Sequence, residues 1–280
     1  MSALGRFLLS PPACRDLGTL RRAVAGHTIL VTGASSGIGA ATARRLGEAG
    51  ATVLLLARRE GALGAVAAQI RAAGGQAHLY PANLADPAGV QAVAGRIQAA
   101  HPRLHAVISN AGRSVRRRAQ DGEATQDLPR LLAVNFSGPA ALLLALRPAL
   151  AAGGVVVNVS SVSARHVGAP RWSAYQGSKA GFDLWLHAAG AEWPRVRVAS
   201  VYLPLVRTPM SAPTRAYRFL PALSADEAAQ AVLWPLVRPV VRAAPWWLRG
   251  VELAGLLAPH ALGRALRVLE RWEAGQGGPA

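Results

Sequence analysis

Short apolar strings bounded by turn residues alternate along this chain with alanine- and leucine-rich stretches long enough for several helical turns. That alternation is the pattern of a parallel sheet wrapped by crossover helices. The strings V-L-L-L-A and G-V-V-V-N-V are continuously apolar, as strands covered on both faces should be. Strands are predicted at Thr28–Thr32, Thr52–Ala57, Ala77–Tyr80, His105–Ser109, Val155–Ser160 and Val196–Tyr202. Helices are predicted at Ile38–Ala49, Ala62–Ala73, Pro87–Ala100, Gln126–Ala151, Ser173–Trp193 and Ala225–Val237. No internal repeat or long linker intervenes. Past Pro209 prolines recur, tryptophan becomes frequent, and segments such as Ala261–Trp272 predict an appended helical cover. The pattern therefore predicts one α/β domain, a doubly wound parallel sheet with helices on both faces and a C-terminal helical extension. A lead-in is expected over 1–25, the core over 26–210 and the covering extension over 211–280.

Composition narrows the function classes. At 280 residues, 51% of them hydrophobic, the chain can bury a large core. A formal net charge of +17 favours anionic partners such as phosphorylated cofactors, lipid headgroups or nucleic acid. The arginines are scattered, aromatics are few, and no helix-turn-helix, zinc or ribonucleoprotein signature accompanies the charge. Nucleic acid is therefore not an expected partner. The single cysteine, Cys14, leaves no disulfide within the chain and no multi-cysteine metal site, so no metal is expected and a reducing, cytoplasmic compartment is. The apolar start is cut by Pro11 and Pro12 before signal-peptide length and reads as a short amphipathic lead-in, placing Cys14 upstream of the fold. The run from Leu131 to Val159 is interrupted by Asn135, Arg147, Pro148 and the Gly153-Gly154 pair, so no membrane span is expected there.

Two local motifs carry chemistry. Of 31 basic residues only Lys179 is a lysine, and it follows Tyr175 by one helical turn in Y-Q-G-S-K. On a helix the phenol and the ammonium share a face, and the cation lowers the phenol pKa toward working pH, as a proton donor requires. A planar guanidinium would place its charge differently. The plainer alternative is a solvated pair. The second motif, T-I-L-V-T-G-A-S-S-G-I-G, runs a strand through Gly33, Gly37 and Gly39 into a helix, a turn that lets backbone approach a pyrophosphate at a helix N-terminus. With this T-G-x-x-x-G-x-G spacing the chain resembles the short-chain dehydrogenase/reductase family, and the resemblance extends over most of its length.

That resemblance implies a Rossmann-like fold, a nicotinamide cofactor and hydride transfer to a carbonyl. Ser35, Ser36 and Ile38 fall within the cofactor turn with the three glycines. In V-L-L-L-A-R-R, Arg58 with Arg59 stands where an acid would hold a free ribose hydroxyl. Arginine there accommodates a ribose phosphate, so NADPH is the expected cofactor, with a solvated arginine pair as the alternative. P-A-N-L-A-D matches the adenine-contact stretch through Asn83 and Leu84, with Asn83 where aspartate is more usual. An amide oxygen can still accept from the adenine amino group. Asn110, Ala111 and Gly112 match the family's N-A-G element, and Asn135 its helix asparagine that holds a water in a proton relay. The implied catalytic set is Asn135, Ser161, Tyr175 and Lys179. Ser161 would bond the carbonyl oxygen, Tyr175 would donate the proton, and Lys179 would also hold the nicotinamide ribose. Ser161 stands fourteen residues before Tyr175, one more than usual, which keeps Ser160 and Ser163 as alternatives. In L-P-L-V-R-T-P-M, Val206 and Thr208 match the stretch that meets the nicotinamide carboxamide, and Leu205 in place of a common glycine predicts a different backbone course.

Two further stretches, N-A-G-R-S-V-R-R-R and Y-L-P-L-V-R-T-P-M-S-A-P-T-R-A-Y-R-F-L-P-A-L-S-A-D-E-A-A, resemble the bacterial aldehyde-forming fatty acyl-CoA reductases. The implied substrate is a long-chain acyl-CoA or acyl carrier thioester, reduced to the aldehyde without an enzyme thiol. Arg113, Arg116, Arg117 and Arg118 would meet the carrier's phosphates, a solvated basic loop being the alternative. Trp246 and Trp247 beside Arg249 are expected to be a buried pair, with peripheral membrane contact as the second reading. The resemblance also implies a homo-oligomer. Competing functions are a reductase or dehydrogenase for another hydrophobic ketone, aldehyde or secondary alcohol, a non-catalytic nucleotide sensor, and a basic membrane-binding protein.

Overall fold

The apolar strings form β1 (Thr28–Thr32), β2 (Thr52–Ala57), β3 (Gln76–Pro81), β4 (Leu104–Ser109), β5 (Leu150–Ser161) and β6 (Val196–Leu203), and a two-residue β7 (Arg242–Ala243) joins them. The computed structural model describes residues 9–165, 167–214, 217 and 220–276. Residues 1–8 of the lead-in, and Arg215, Ala216, Arg218 and Phe219 of the second reductase-like stretch, lie outside the described residues. All pairings are parallel, in the order β3-β2-β1-β4-β5-β6-β7. The winding reverses between β1 and β4, and the crevice at their carboxyl ends is where such sheets take ligands.

Helix α1 (Leu17–Val24) precedes β1; the crossovers are α2 (Gly37–Glu48), α3 (Glu60–Ala72), α4 (Pro87–Ala100), α5 (Ala124–Leu132), α6 (Gly138–Leu146), α7 (Ser173–Ala191), and α8 (Ala225–Val232) with α9 (Trp234–Val237); α10 (Leu248–Leu257) and α11 (Pro259–Gln276) follow β7. Strand residues divide by parity between two cores. Ile29, Val31, Val53 and Leu55 pack with α1, α2, α3 and α8, while Leu30, Leu54 and Leu56 pack with α4, α6 and α7. Burial on both faces explains why these strands read as unbroken apolar runs.

Several expectations are corrected. The lead-in is not upstream of the fold: Asp16 caps α1 by accepting from Gly18 and Thr19 N–H groups, Leu20 and Val24 are buried, and Cys14 is buried with its N–H donating to the Gln230 carbonyl at 2.8 Å. Burial pushes the Cys14 thiol pKa up, which keeps it in its unreactive form. The expected helix to Ala151 is α5, a π turn (Ala133–Ser137), α6 and a 3-10 turn (Arg147–Ala149), after which β5 begins at Leu150 and passes through Gly153 at φ +81. Residues 124–149 form one helical run that is long and apolar enough to cross a membrane by length and composition alone. Its Leu131, Leu142, Leu143 and Leu146 are buried within the domain. The helix expected over Ala225–Val237 breaks after Val232, before Pro235, whose ring nitrogen has no proton to donate. The tryptophans are not a buried pair, since Trp246 is 61% exposed and Trp247 half-buried. Leu256 and Leu257 of α10 are 80% and 76% exposed, so this end of the extension presents an apolar face.

Candidate active site

The glycine turn is held by packing against the end of β4. Gly33 has φ +67, and a Cβ on Gly39 would lie 2.3 Å from the Gly33 carbonyl oxygen and 2.5 Å from Asn110 Nδ2. Asn110 crosses from β4 to donate through Nδ2 to the Thr32 carbonyl at 3.0 Å, while Thr32 Oγ1 accepts the N–H groups of Asn110 (3.0 Å) and Ala111 (2.9 Å). The N-A-G element therefore locks the floor of the turn. Ser36 caps α2 without a side-chain bond, leaving the first helical N–H groups for an anion. Thr208 closes the other side, its Cγ2 3.1 Å from where a Gly37 Cβ would stand. Leu205 and Val206 run beside Leu223: the Leu223 N–H donates to the Leu205 carbonyl at 2.9 Å and Val206 bridges Leu223 in parallel. A close-packed, donor-rich turn of this shape fits a dinucleotide pyrophosphate.

At the end of β2, Arg58 and Arg59 are both exposed. Leu84 is buried, and exposed Asn83 accepts the Ala85 N–H through Oδ1 at 3.2 Å, so its amide carbonyl already serves the local turn.

Across the crevice, α7 carries Tyr175 and Lys179. Lys179 is buried and donates through Nζ to the Val159 carbonyl of β5 at 3.0 Å. Gly112 lies against it, since a Cβ there would be 3.3 Å from Lys179 Nζ and 3.2 Å from Asn135 Oδ1. Asn135 sits in the π turn, a distortion common at functional sites. Its side chain accepts the Arg113 N–H (2.7 Å) and donates to the Arg113 carbonyl and Ser178 Oγ (both 2.9 Å). This side chain ties the loop after β4 to α7, a structural duty that the expected water relay did not include.

Ser161 is the last residue of β5, and its hydroxyl bonds the Tyr175 phenol. Ser163 donates to Ser161 Oγ at 2.9 Å and so supports it, whereas Ser160 is buried. A 3-10 turn (Val162–Arg165) and the loop after it absorb the extra residue before α7. Burial raises the Tyr175 pKa and the Ser161 bond works against that rise. The expected lowering by Lys179 is absent from these causes. Burial instead lowers Lys179 to about 8, and Asp183 opposes the fall.

Asp183 escaped the sequence reading, although one more helical turn beyond Lys179 was the signal for it. It is buried, accepts from Asn158 Nδ2 (2.9 Å), Ser200 Oγ (2.6 Å) and the Tyr202 hydroxyl (2.7 Å), and lies 3.9 Å from Arg165. Arg165 also bonds Glu252 of α10 at 2.7 Å, which bonds Arg242 at 2.7 Å, so the extension is tied to the serine loop. Trp172 stands edge-on to Tyr175 and stacks on Tyr217, forming an aromatic wall that spacing alone did not reveal.

The basic loop divides. Arg117 donates through Nε to buried Asp127 at 2.6 Å and pairs with Glu123, so it anchors the loop and is removed from the expected phosphate set. Arg113 and Arg118 are exposed and Arg116 is half-buried.

The family model described as short chain dehydrogenase matches residues 27–218. A protein of Acinetobacter baylyi named fatty acyl-CoA reductase is 37% identical over 244 residues, spanning 85% of this chain and 82% of its own. A Mycobacterium tuberculosis protein of that name is 37% identical over 245 residues, spanning 86% and 82%. A metagenomic short-chain oxidoreductase solved in complex with NADP shares the fold at TM-score 0.65 and 31% identity, covering 77% of this chain and 92% of that one.

Proposed function

The chain belongs to the short-chain dehydrogenase family and is an oxidoreductase, and from that premise we propose that it reduces long-chain fatty acyl thioesters to aldehydes with NADPH. The observation that carries the substrate is the similarity, over 82% of each relative's length, to two proteins named fatty acyl-CoA reductase. The glycine turn, Asn110 and Thr208 would hold the cofactor, with Arg58 and Arg59 on the ribose phosphate, and the neighbour solved with NADP supports that choice. When bound, the nicotinamide supplies a hydride to the thioester carbonyl carbon.

Ser161 donates a hydrogen bond to the carbonyl oxygen, and Tyr175 passes its proton there as negative charge develops. The hemithioacetal then collapses: as its C–S bond breaks the hydroxyl loses its proton, the departing thiolate takes that proton up, and the aldehyde and free thiol remain. Lys179, held to the Val159 carbonyl one helical turn from the phenol, would place its cation at the nicotinamide ribose. Solvent restores the phenol proton.

The test is NADPH consumption with a long-chain acyl-CoA alongside titration of released thiol. Equal amounts of each support thioester reduction, whereas turnover only with a long-chain ketone or alcohol moves the substrate to another carbonyl class. Run with anionic vesicles, pelleting of the protein would extend the reading to lipid contact through the exposed Trp246, Leu256 and Leu257; protein left in the supernatant removes that part.

The buried lysine sets a pH dependence. Lys179 is protonated below about 8, so kcat/KM should fall as pH rises through that value. Asp183 raises the Lys179 pKa, so Asp183→Asn should move the fall to lower pH, read from pH–rate profiles. An unmoved profile would detach Lys179 from the limb. Because its folded pKa lies below the ordinary lysine value of 10.5, the buried cation costs stability below about 8, a cost relieved as pH rises toward 10.5.

A further inference from the structure

We infer that Arg118 and Arg171 form a cradle for the phosphates of a coenzyme A-type thioester, an inference that rests on the acyl-thioester reading above. A surface cavity of about 360 Å³ lies where the loop after β4 meets the loop before α7, and Arg118, Gln120, Arg171 and Ser173 line it. The Arg117 N–H donates to the Arg171 carbonyl at 2.9 Å, joining the two loops. The Arg117 guanidinium, fixed by Asp127 and Glu123, keeps the adjoining Arg118 backbone in place, and the Arg118 N–H donates to Asp121 Oδ2 at 3.2 Å.

Arg171 has φ +67, the one non-glycine residue with positive φ among those described. Such a conformation is strained for a residue with a side chain and persists where surroundings impose it, commonly at ligand sites. Ser173 opens α7, and Trp172 caps that helix without a side-chain bond, so the positive end of the helix reaches the same cavity. Arg118, Arg171 and the first residue of α7 thus line one cavity on the helix that carries Tyr175, and arginine forks bind phosphate oxygens in pairs. The Trp172 and Tyr217 wall stands against Tyr175 on this side, an apolar flank for the arm between phosphates and thioester.

The test compares an acyl-CoA with the same acyl group on pantetheine, which lacks phosphates, for wild type and for Arg118→Ala with Arg171→Gly. Glycine keeps the positive φ without strain. The double variant should raise KM for acyl-CoA about tenfold or more, the loss expected for removing charge-assisted bonds. Its kcat, its NADPH affinity and its KM for acyl-pantetheine should stay near wild type. Equal KM changes with both thioesters, or none with either, would overturn the cradle. If wild type reduces neither thioester, the acyl-thioester reading fails and the cradle is judged by titrating adenosine 3′,5′-bisphosphate with NADP⁺ saturating. Binding lost in the double variant upholds a phosphate site there; no binding to wild type ends it.

Discussion

Tyr175→Phe should lower kcat for carbonyl reduction by about 10²–10⁴-fold, the range for loss of a positioned acid. In the proposed mechanism the phenol is the proton donor, and the helix places it between the Ser161 hydroxyl and the Lys179 turn. Its raised pKa keeps it protonated at neutral pH, so the native enzyme carries the donor at full occupancy before the reaction. Phenylalanine keeps the ring and its edge-on contact with Trp172 while deleting the hydroxyl. Stability and NADPH affinity should therefore change little. Single-turnover rates with preformed enzyme and cofactor, set beside thermal melts, separate chemistry from folding. A variant that turns over at more than about a tenth of the native rate would remove Tyr175 from the role of donor.

Gly39→Ala should abolish useful cofactor affinity and destabilise the fold by about 1–3 kcal/mol, the usual cost of overpacking. The added Cβ meets the Gly33 carbonyl oxygen at 2.3 Å and Asn110 Nδ2 at 2.5 Å, and neither is the free end of a flexible side chain. Asn110 is held through its bond to the Thr32 carbonyl, and Gly33 by the turn itself. The helix must therefore shift away from the turn, carrying with it the N–H groups proposed to hold the pyrophosphate. Gly95→Ala in α4 is the control, because nothing lies within 4 Å of its Cβ position and alanine favours a helix. Fluorescence titration with NADPH and melting curves read both effects. Native affinity in Gly39→Ala would show that the turn does not grip the cofactor as described.

Parts of this fold and site are legible because they are local. The central strands stand out as apolar runs, since a strand covered on both faces needs no alternation, while β3 at the sheet edge reads Q-A-H-L-Y-P and mixes buried and exposed positions. The glycine turn is encoded within a dozen residues, and Tyr175 and Lys179 share a face by helical spacing alone. Other limits are also local in kind but depend on packing. β7 has two residues and no periodicity to display, and the π turn at Asn135 arises where an asparagine reaches both the Arg113 backbone and Ser178.

The sequence by itself determined the parallel doubly wound sheet, the phosphate turn and the tyrosine–lysine face, because each follows from the period of apolar residues or from neighbours within one turn. Tertiary structure alone decided the rest. It set the direction of both pKa shifts, since desolvation is a property of the packed interior: burial lifts Tyr175 and lowers Lys179 to about 8, with Asp183 opposing the fall. It turned the supposed lead-in into core by seating Leu20 and Val24 beneath the sheet, and it exposed Trp246. It also divided four like arginines into an anchor at Arg117 and a cavity wall at Arg118, joined there by Arg171. Side chains of one type take different roles when acids, cavities and buried carbonyls far away in sequence are brought beside them, and that juxtaposition exists only in the folded chain.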